Sequence, residues 1–278
     1  MENLKILNNI LTENNIYEYG LVNFDIVKTH LIKNYSKKKI TEEIKTVIVC
    51  IFPYNIGTFS DKNISRYAFS PDYHVIIKDI LNNICSKLKK AFPNEKFEAF
   101  CDSSPVPEVN AAVKAGLGCV GYNNLLITDK YGSYVFIGEI LSTMHFKSEN
   151  TNKFDKSERC EGCFKCVKIC PANALNEKGV FYKDKCLSYI TQKKGELLKT
   201  EEELIKKNKM VWGCDKCQDI CPKNKNAHLT YIKEFYKETV IKIESGEEEY
   251  KFKRAFLWRG KDIIKRNLKI INENTDCK

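Results

Sequence analysis

Cys160-Glu-Gly-Cys163-Phe-Lys-Cys166-Val-Lys-Ile-Cys170-Pro171 sets the character of the second half of this chain. The spacing C-x2-C-x2-C-x3-C-P is an iron–sulfur ligation run. Three thiolates spaced two residues apart wrap one cube, and the fourth, in the turn before proline, points away towards another. A second run, Cys214-Asp-Lys-Cys217-Gln-Asp-Ile-Cys221-Pro222, repeats the tail of the first but is one cysteine short. Cys186 lies upstream and supplies the missing thiolate. The expected ligand sets are Cys160, Cys163, Cys166 and Cys221 for one [4Fe–4S] cluster, and Cys170, Cys186, Cys214 and Cys217 for the other. Zinc also accepts four thiolates, and paired C-x2-C alone leaves the metal open; the two x3-C-P tails favour iron and sulfide.

These eight belong to 13 cysteines in 278 residues. The start, Met-Glu-Asn-Leu-Lys, lacks the basic stretch and apolar core of a secretory leader, and no apolar run reaches the roughly 18–20 residues that span a bilayer. A cytoplasmic protein without a membrane partner is expected. In that reducing compartment cysteines signal metal ligation more often than disulfides. Cys50, Cys85, Cys101, Cys119 and Cys277 fit no motif, and at least four of them read as small buried hydrophobes. A hydrophobic content of 43% and an aromatic content of 11% fit a folded globular chain. The net charge of +10 favours a polyanionic partner such as RNA, although a lysine-rich proteome gives the same excess.

Working outwards, residues 1–150 read as an α/β domain, 151–226 as a double-cluster domain, and 227–278 as a charged helical segment. Thr46 to Phe52 is a continuous apolar, β-branched run ending at Pro53, the pattern of a buried strand. Pro71 to Ala91 has helical periodicity, with Val75, Ile76, Ile80, Ile84 and Leu88 as its expected apolar face. Phe97–Cys101, Leu125–Thr128 and Tyr134–Leu141 read as strands, the last two joined by a hairpin at Asp129-Lys130-Tyr131-Gly132. Residues 151–158 read as a linker, and Lys261 to Asn272 as the final helix. No P-loop occurs, and neither a nicotinamide site nor ATP hydrolysis is expected.

The first domain carries further markers: Ser65-Arg66-Tyr67-Ala68, Asp72-Tyr73-His74, Asp102-Ser103-Ser104-Pro105, Ala115-Gly116-Leu117-Gly118 and Tyr131-Gly132-Ser133-Tyr134. Gly213 to Gln218 and Trp258-Arg259-Gly260 come later. In this order, around a double-cluster motif, they resemble the epoxyqueuosine reductase family from about residue 44 to 268, and less closely the core of reductive dehalogenases. The resemblance implies an α+β or α/β cobalamin-binding domain followed by a bacterial-ferredoxin-like domain and short C-terminal helices. It also implies a cobalamin held base-off, an external low-potential electron donor, a monomer, and reduction of the epoxide of epoxyqueuosine at the wobble position of tRNA.

Carried over residue by residue, the resemblance puts Asp102 at the proton-donor position, and Tyr67, Asp72, Tyr73, Asp102, Gly118, Asn123, Ser188 and Asp215 near the cofactor. A carboxyl buried against a corrin would have a raised pKa; otherwise Asp102 simply caps the next helix. His74 completes the family's D-Y-H near the cofactor face, and reads equally as a helix-start histidine facing solvent. Gly116 serves equally as a helix C-cap. Lys193, Lys194, Trp258, Arg259 and Lys261 are the candidate RNA contacts, although a lysine pair is usually a solvated face. Val109 stands where the family is commonly basic, Lys114 replaces an arginine, and Tyr122 replaces a lysine. Longer members continue into a helical-repeat domain. A small-molecule epoxide or organohalide reductase of the same architecture is the alternative enzyme, and a ferredoxin-like carrier the alternative of another class.

Overall fold

A computed structural model describes residues 2–32, 43–147, 160 and 162–273. The linker expected at 151–158 and Cys277 lie outside the described residues. In chain order, the first half comprises α1 (Glu2–Glu13), β1 (Tyr19–Asn23), α2 (Phe24–Val27), β2 (Thr46–Pro53), α3 (Tyr73–Ala91), β3 (Phe97–Phe100), α4 (Glu108–Lys114), β4 (Cys119–Val120), β5 (Leu126–Ile127) and β6 (Val135–Ser142). The second half adds α5 (Lys165–Ile169), α6 (Leu187–Ile190), α7 (Lys199–Asn208), α8 (Lys216–Asp219) and α9 (Lys261–Asn272).

β2 is buried along its whole length, as its β-branched run requires. It sits inside a sheet of order β1-β2-β6-β3 in which every pairing is antiparallel. Side chains alternate across a strand, so β2 feeds two cores. Ile48, Cys50 and Phe52 join Leu7 and Leu11 of α1 and Ile77, Leu81 and Ile84 of α3. Val47, Val49 and Ile51 face the other way, towards Val27 of α2 and Ala111 and Ala112 of α4. The result is an α+β fold with helices on both faces of an antiparallel sheet.

Three expectations are corrected. The buried stripe of α3 is Tyr73, Ile77, Leu81, Ile84 and Leu88, and Val75 is exposed. The stripe falls there because Gly138 of β6 opens a groove: a Cβ at 138 would stand 2.8 Å from Leu81 Cδ1. The expected β5–β6 hairpin is absent. β5 pairs instead with β4, and the turn between β5 and β6 closes only a single bridge, Thr128 to Gly132. Lastly, residues 227–260 are mostly irregular, with short 3-10 turns at Lys233–Tyr236 and Ala255–Leu257, and among the described residues of the expected 227–278 segment only α9 is a regular helix. This segment has no separate core: Ile232, Phe235, Ile243 and Phe256 enter the one formed by α1, α3 and β2.

Candidate active site and metal centres

Cys166 opens the geometry of the cysteine-rich segment. It lies within electrostatic reach of Cys160 and Cys221, and Cys221 within reach of Cys160 and Cys163. These four line one small cavity with Tyr122, Asn123 and Phe164. Cys214 in turn feels Cys186 and Cys170, and Cys217 feels Cys214, Cys186 and, from the first set, Cys166. Cys170, Cys186, Cys214 and Cys217 all line a second cavity of about 480 Å³. The two sets therefore line two adjoining cavities, called cages below, although among the described residues no three of these side chains are drawn together closely enough to hold a metal ion. α5 and α8, which carry Cys166 and Cys217, pack side by side between them. Tyr122, the departure from the family's lysine, packs its ring 4.8 Å from Phe164 beside the first cage.

The larger cavity reaches from the second cage to the α+β domain. Its far wall is aromatic: Tyr54, Tyr67, Tyr73 and Phe136 line it together with Asn123 and Ser188. Tyr73 and Phe136 stack at 3.9 Å with their planes 7° apart. Tyr67 accepts a 2.6 Å hydrogen bond from Trp212 Nε1, which holds its ring at the cavity edge. Asn123 lies on both cavities, and its buried Nδ2 has no partner among the described residues. A buried amide without a partner carries a desolvation cost, so a bound acceptor there would satisfy it.

Asp102 follows β3 and has φ 54, the left-handed region that aspartate tolerates better than most side chains. This inversion turns its carboxylate towards the start of α3. Tyr73 donates its hydroxyl hydrogen to Asp102 Oδ2. His74 Nε2 stands 3.2 Å from the same oxygen, and His74 Nδ1 stands 2.7 Å from Asp72. Asp72 also caps α3 by accepting from the His74 backbone N–H at 3.0 Å. Asp102 is thus not a helix cap: α4 begins after Pro107, and no side chain caps it.

The electrostatics of this cluster follow from its hydrogen bonds. Burial pushes the Asp102 carboxyl up, but hydrogen bonds from His74 and Tyr73 outweigh it and hold the pKa below the ordinary value. Burial disfavours a charged His74, yet the bonds to Asp102 and Asp72 prevail and raise it to about 9. Burial and the charges of Asp102 and Glu139 push Glu108 well up. The hydrogen bonds around Asp102 thus favour its carboxylate form and a charged His74. His74 is the residue that sequence reasoning undervalued; its spacing from Asp72 was visible, but its contact with Asp102 depends on the inverted backbone.

The other candidates fall in several places. Gly118 packs against β5, where a Cβ would stand 2.4 Å from the Ile127 carbonyl oxygen, and Gly116 ends α4 with φ 79. Asp215 is buried and faces Lys62 Nζ at 2.6 Å, the Ser65 hydroxyl and the Arg66 backbone N–H. It fastens the second cage to the α+β domain. Lys193 is paired with Glu201 at 2.7 Å, whereas Lys194 and Lys261 are exposed. Arg266 of α9 donates to the carbonyls of Lys193 and Gly195, which brings that loop beside α9. Trp258 is 59% exposed, with Arg259 lying 3.9 Å over its ring.

Residues 159–224 match a family model described as a 4Fe-4S double cluster binding domain. Residues 35–103 match one described as epoxyqueuosine reductase QueG, DUF1730. An epoxyqueuosine reductase of Cyclobacterium marinum is 32% identical over 254 residues, covering 87% of this chain and 81% of that protein. A crystal structure of epoxyqueuosine reductase with an epoxyqueuosine-modified tRNA-Tyr stem loop superposes with TM-score 0.80 at 22% identity, covering 97% of this chain and 81% of that one. The catabolic reductive dehalogenase NpRdhA superposes with TM-score 0.52 at 14% identity, covering 80% of this chain and 31% of its own. At these identities the two structures establish a shared fold.

Proposed function

Because this chain belongs to the epoxyqueuosine reductase family, we propose that it reduces the epoxide of epoxyqueuosine at the tRNA wobble position to the alkene of queuosine. The observation that carries this reading is the cavity of about 480 Å³ whose floor is four cysteines and whose far wall includes Tyr73, the hydrogen-bond partner of Asp102. The four cysteines and, one hydrogen bond behind Tyr73, Asp102 thus lie at two ends of one space.

The residues present fit the groups the family uses. Cys160, Cys163, Cys166 and Cys221 would hold an outer [4Fe–4S] cluster, and Cys170, Cys186, Cys214 and Cys217 an inner one. Cobalamin would lie in the larger cavity, against the Tyr73–Phe136 stack, near Tyr67, Ser188 and the free amide of Asn123. Bound there, these cofactors supply single electrons at low potential, delivered to the chain by an external donor.

Opening an epoxide to an alkene and water takes two electrons and two protons. Both carbon–oxygen bonds break, and the oxygen leaves as water. Asp102 is the group we place at that oxygen, where a positioned acid assists its departure. His74, charged at neutral pH, recharges Asp102 across the 3.2 Å contact, and Tyr73 keeps the carboxylate aimed. Asp72 holds the far side of the His74 ring, so Nε2 rather than Nδ1 faces Asp102.

RNA would approach over the surface that carries Lys194, Trp258, Arg259 and Lys261, and the net charge of +10 supports a polyanionic partner. An exposed tryptophan with a stacked guanidinium is a platform on which an unstacked base can lie. The test is an anaerobic assay of cluster-loaded protein with cobalamin, a chemical reductant and an anticodon stem loop carrying epoxyqueuosine. Loss of one oxygen from the nucleoside, read by mass spectrometry, is expected. Val109 on the cavity wall, in place of a cation, favours a second reading, a small apolar epoxide. Turnover of such an epoxide with an inert stem loop would replace the first reading by the second.

A further inference from the structure

The site so far names one proton store, His74, for a reaction that consumes two protons. Glu108, the first residue of α4, lies on the other side of Asp102. Its Oε1 accepts the Asp102 backbone N–H at 2.7 Å, and the two side chains are within hydrogen-bonding reach of each other. Glu108 forms no ion pair among the described residues, and the next position is Val109 rather than a cation. The groups that face it are acidic or thiol: Asp102 and Cys101 from the loop, and Glu139 from β6. Glu139 is fully buried, with the Ser104 hydroxyl beside its carboxyl. An anion at position 108 would therefore meet two further carboxyls and no compensating charge.

We propose that Glu108 is the second proton store of the reaction, a neutral carboxyl behind Asp102 that reloads it between the two proton deliveries. This rests on the reductase reading above. Asp102 first passes on the proton drawn from His74. The O–H bond of Glu108 then breaks, its proton crosses to the Asp102 carboxylate, and Asp102 delivers it to the departing oxygen, completing water. Glu108 regains its proton from solvent before the next cycle. The two electrons come from the same external donor, and no further reactant is needed. Burial is the largest cause of the upward shift at Glu108, and it likewise raises Glu139 to about 8 despite the Ser104 hydroxyl. Burial thus favours the protonated form of both carboxyls.

The test is Glu108→Gln, which keeps an oxygen to accept the Asp102 N–H but cannot give up a proton. Its first readout needs no cobalamin. Infrared difference spectra of the cluster-loaded protein at neutral pH should show two neutral-carboxyl bands in wild type, one that only Glu108→Gln removes and one that only Glu139→Gln removes. The second readout is turnover. kcat should fall about a hundredfold, within the usual span for a lost acid–base group, with the KM for the stem loop and the iron content unchanged. Glu108→Asp should recover part of the rate. A Glu108→Gln protein that retains both carboxyl bands, or one that turns over at the wild-type rate, overturns the proposal. If wild type itself leaves the stem loop unreduced, the substrate assignment fails, and the infrared band still decides whether Glu108 holds the proton.

Discussion

Asp102 has a side chain that points usefully only because its backbone is inverted, at φ 54. Asp102→Asn keeps the size and the Tyr73 contact but cannot carry a proton between His74 and substrate. Cluster content should be unchanged and turnover should drop by about two to four orders of magnitude. Full activity in that variant would remove Asp102 from the chemistry. His74 supplies a pH signature. Its pKa is raised to about 9, above the ordinary value of about 6.5. The stability drawn from its contacts with Asp72 and Asp102 is therefore complete below about 6.5 and is lost as pH rises through about 9. Activity should fall over the same upper limb, and in His74→Gln that limb should disappear. At this scale the sequence was partly legible. Fixed ligand spacing grouped the cysteines into two sets, because a cube dictates where its thiolates come from. Asp102 was named by resemblance, but its partners were not legible, because its hydrogen bonds reach across from the start of another helix.

α3 and the sheet beneath it are held by a stripe of large apolar side chains fitted to one glycine. Leu81 is fully buried over Gly138. Leu81→Ala should cost about 2–5 kcal/mol in denaturant unfolding of the anaerobic protein, the usual cost of such a cavity; a change below about 1 kcal/mol would contradict this packing. Lys62 joins two elements distant in sequence through its 2.6 Å contact with Asp215, beside Cys214. Removing one member of a buried pair leaves a charge without compensation, at about 3–5 kcal/mol. Lys62→Ala should accordingly lose the inner cluster faster than wild type on exposure to a chelator, with the outer cluster unaffected. The strand run of β2 and the extent of α3 were readable because local periodicity and burial agree. The β5–β6 connection was not. Its turn is held from outside, with Ser133 N–H donating to Asn224 Oδ1 at 2.8 Å and Gly132 too close to Asn224 to accept a Cβ. No local pattern announces a contact with the cluster segment. Residues 227–260 escaped for the same reason: they add single side chains to a core built elsewhere.

The whole molecule is a relay joined by its second half. Chain that begins in the sheet domain returns through two cages, and then lays its last segment back on the first core, so that Trp212, Phe235 and Phe256 pack with α1 and α3. Among the described residues no helix is long and apolar enough to cross a membrane. Exposed Lys194, Trp258 and Lys261 give the surface a basic, stackable face. The most direct measurement of the central claim is iron and acid-labile sulfide per polypeptide in anaerobically prepared wild type, Cys166→Ala and Cys186→Ala. Two four-thiolate cages should give about eight iron atoms in wild type and about four in each variant, one substitution emptying the outer cage and the other the inner. Zinc in place of iron, or full iron occupancy in both variants, would contradict the account.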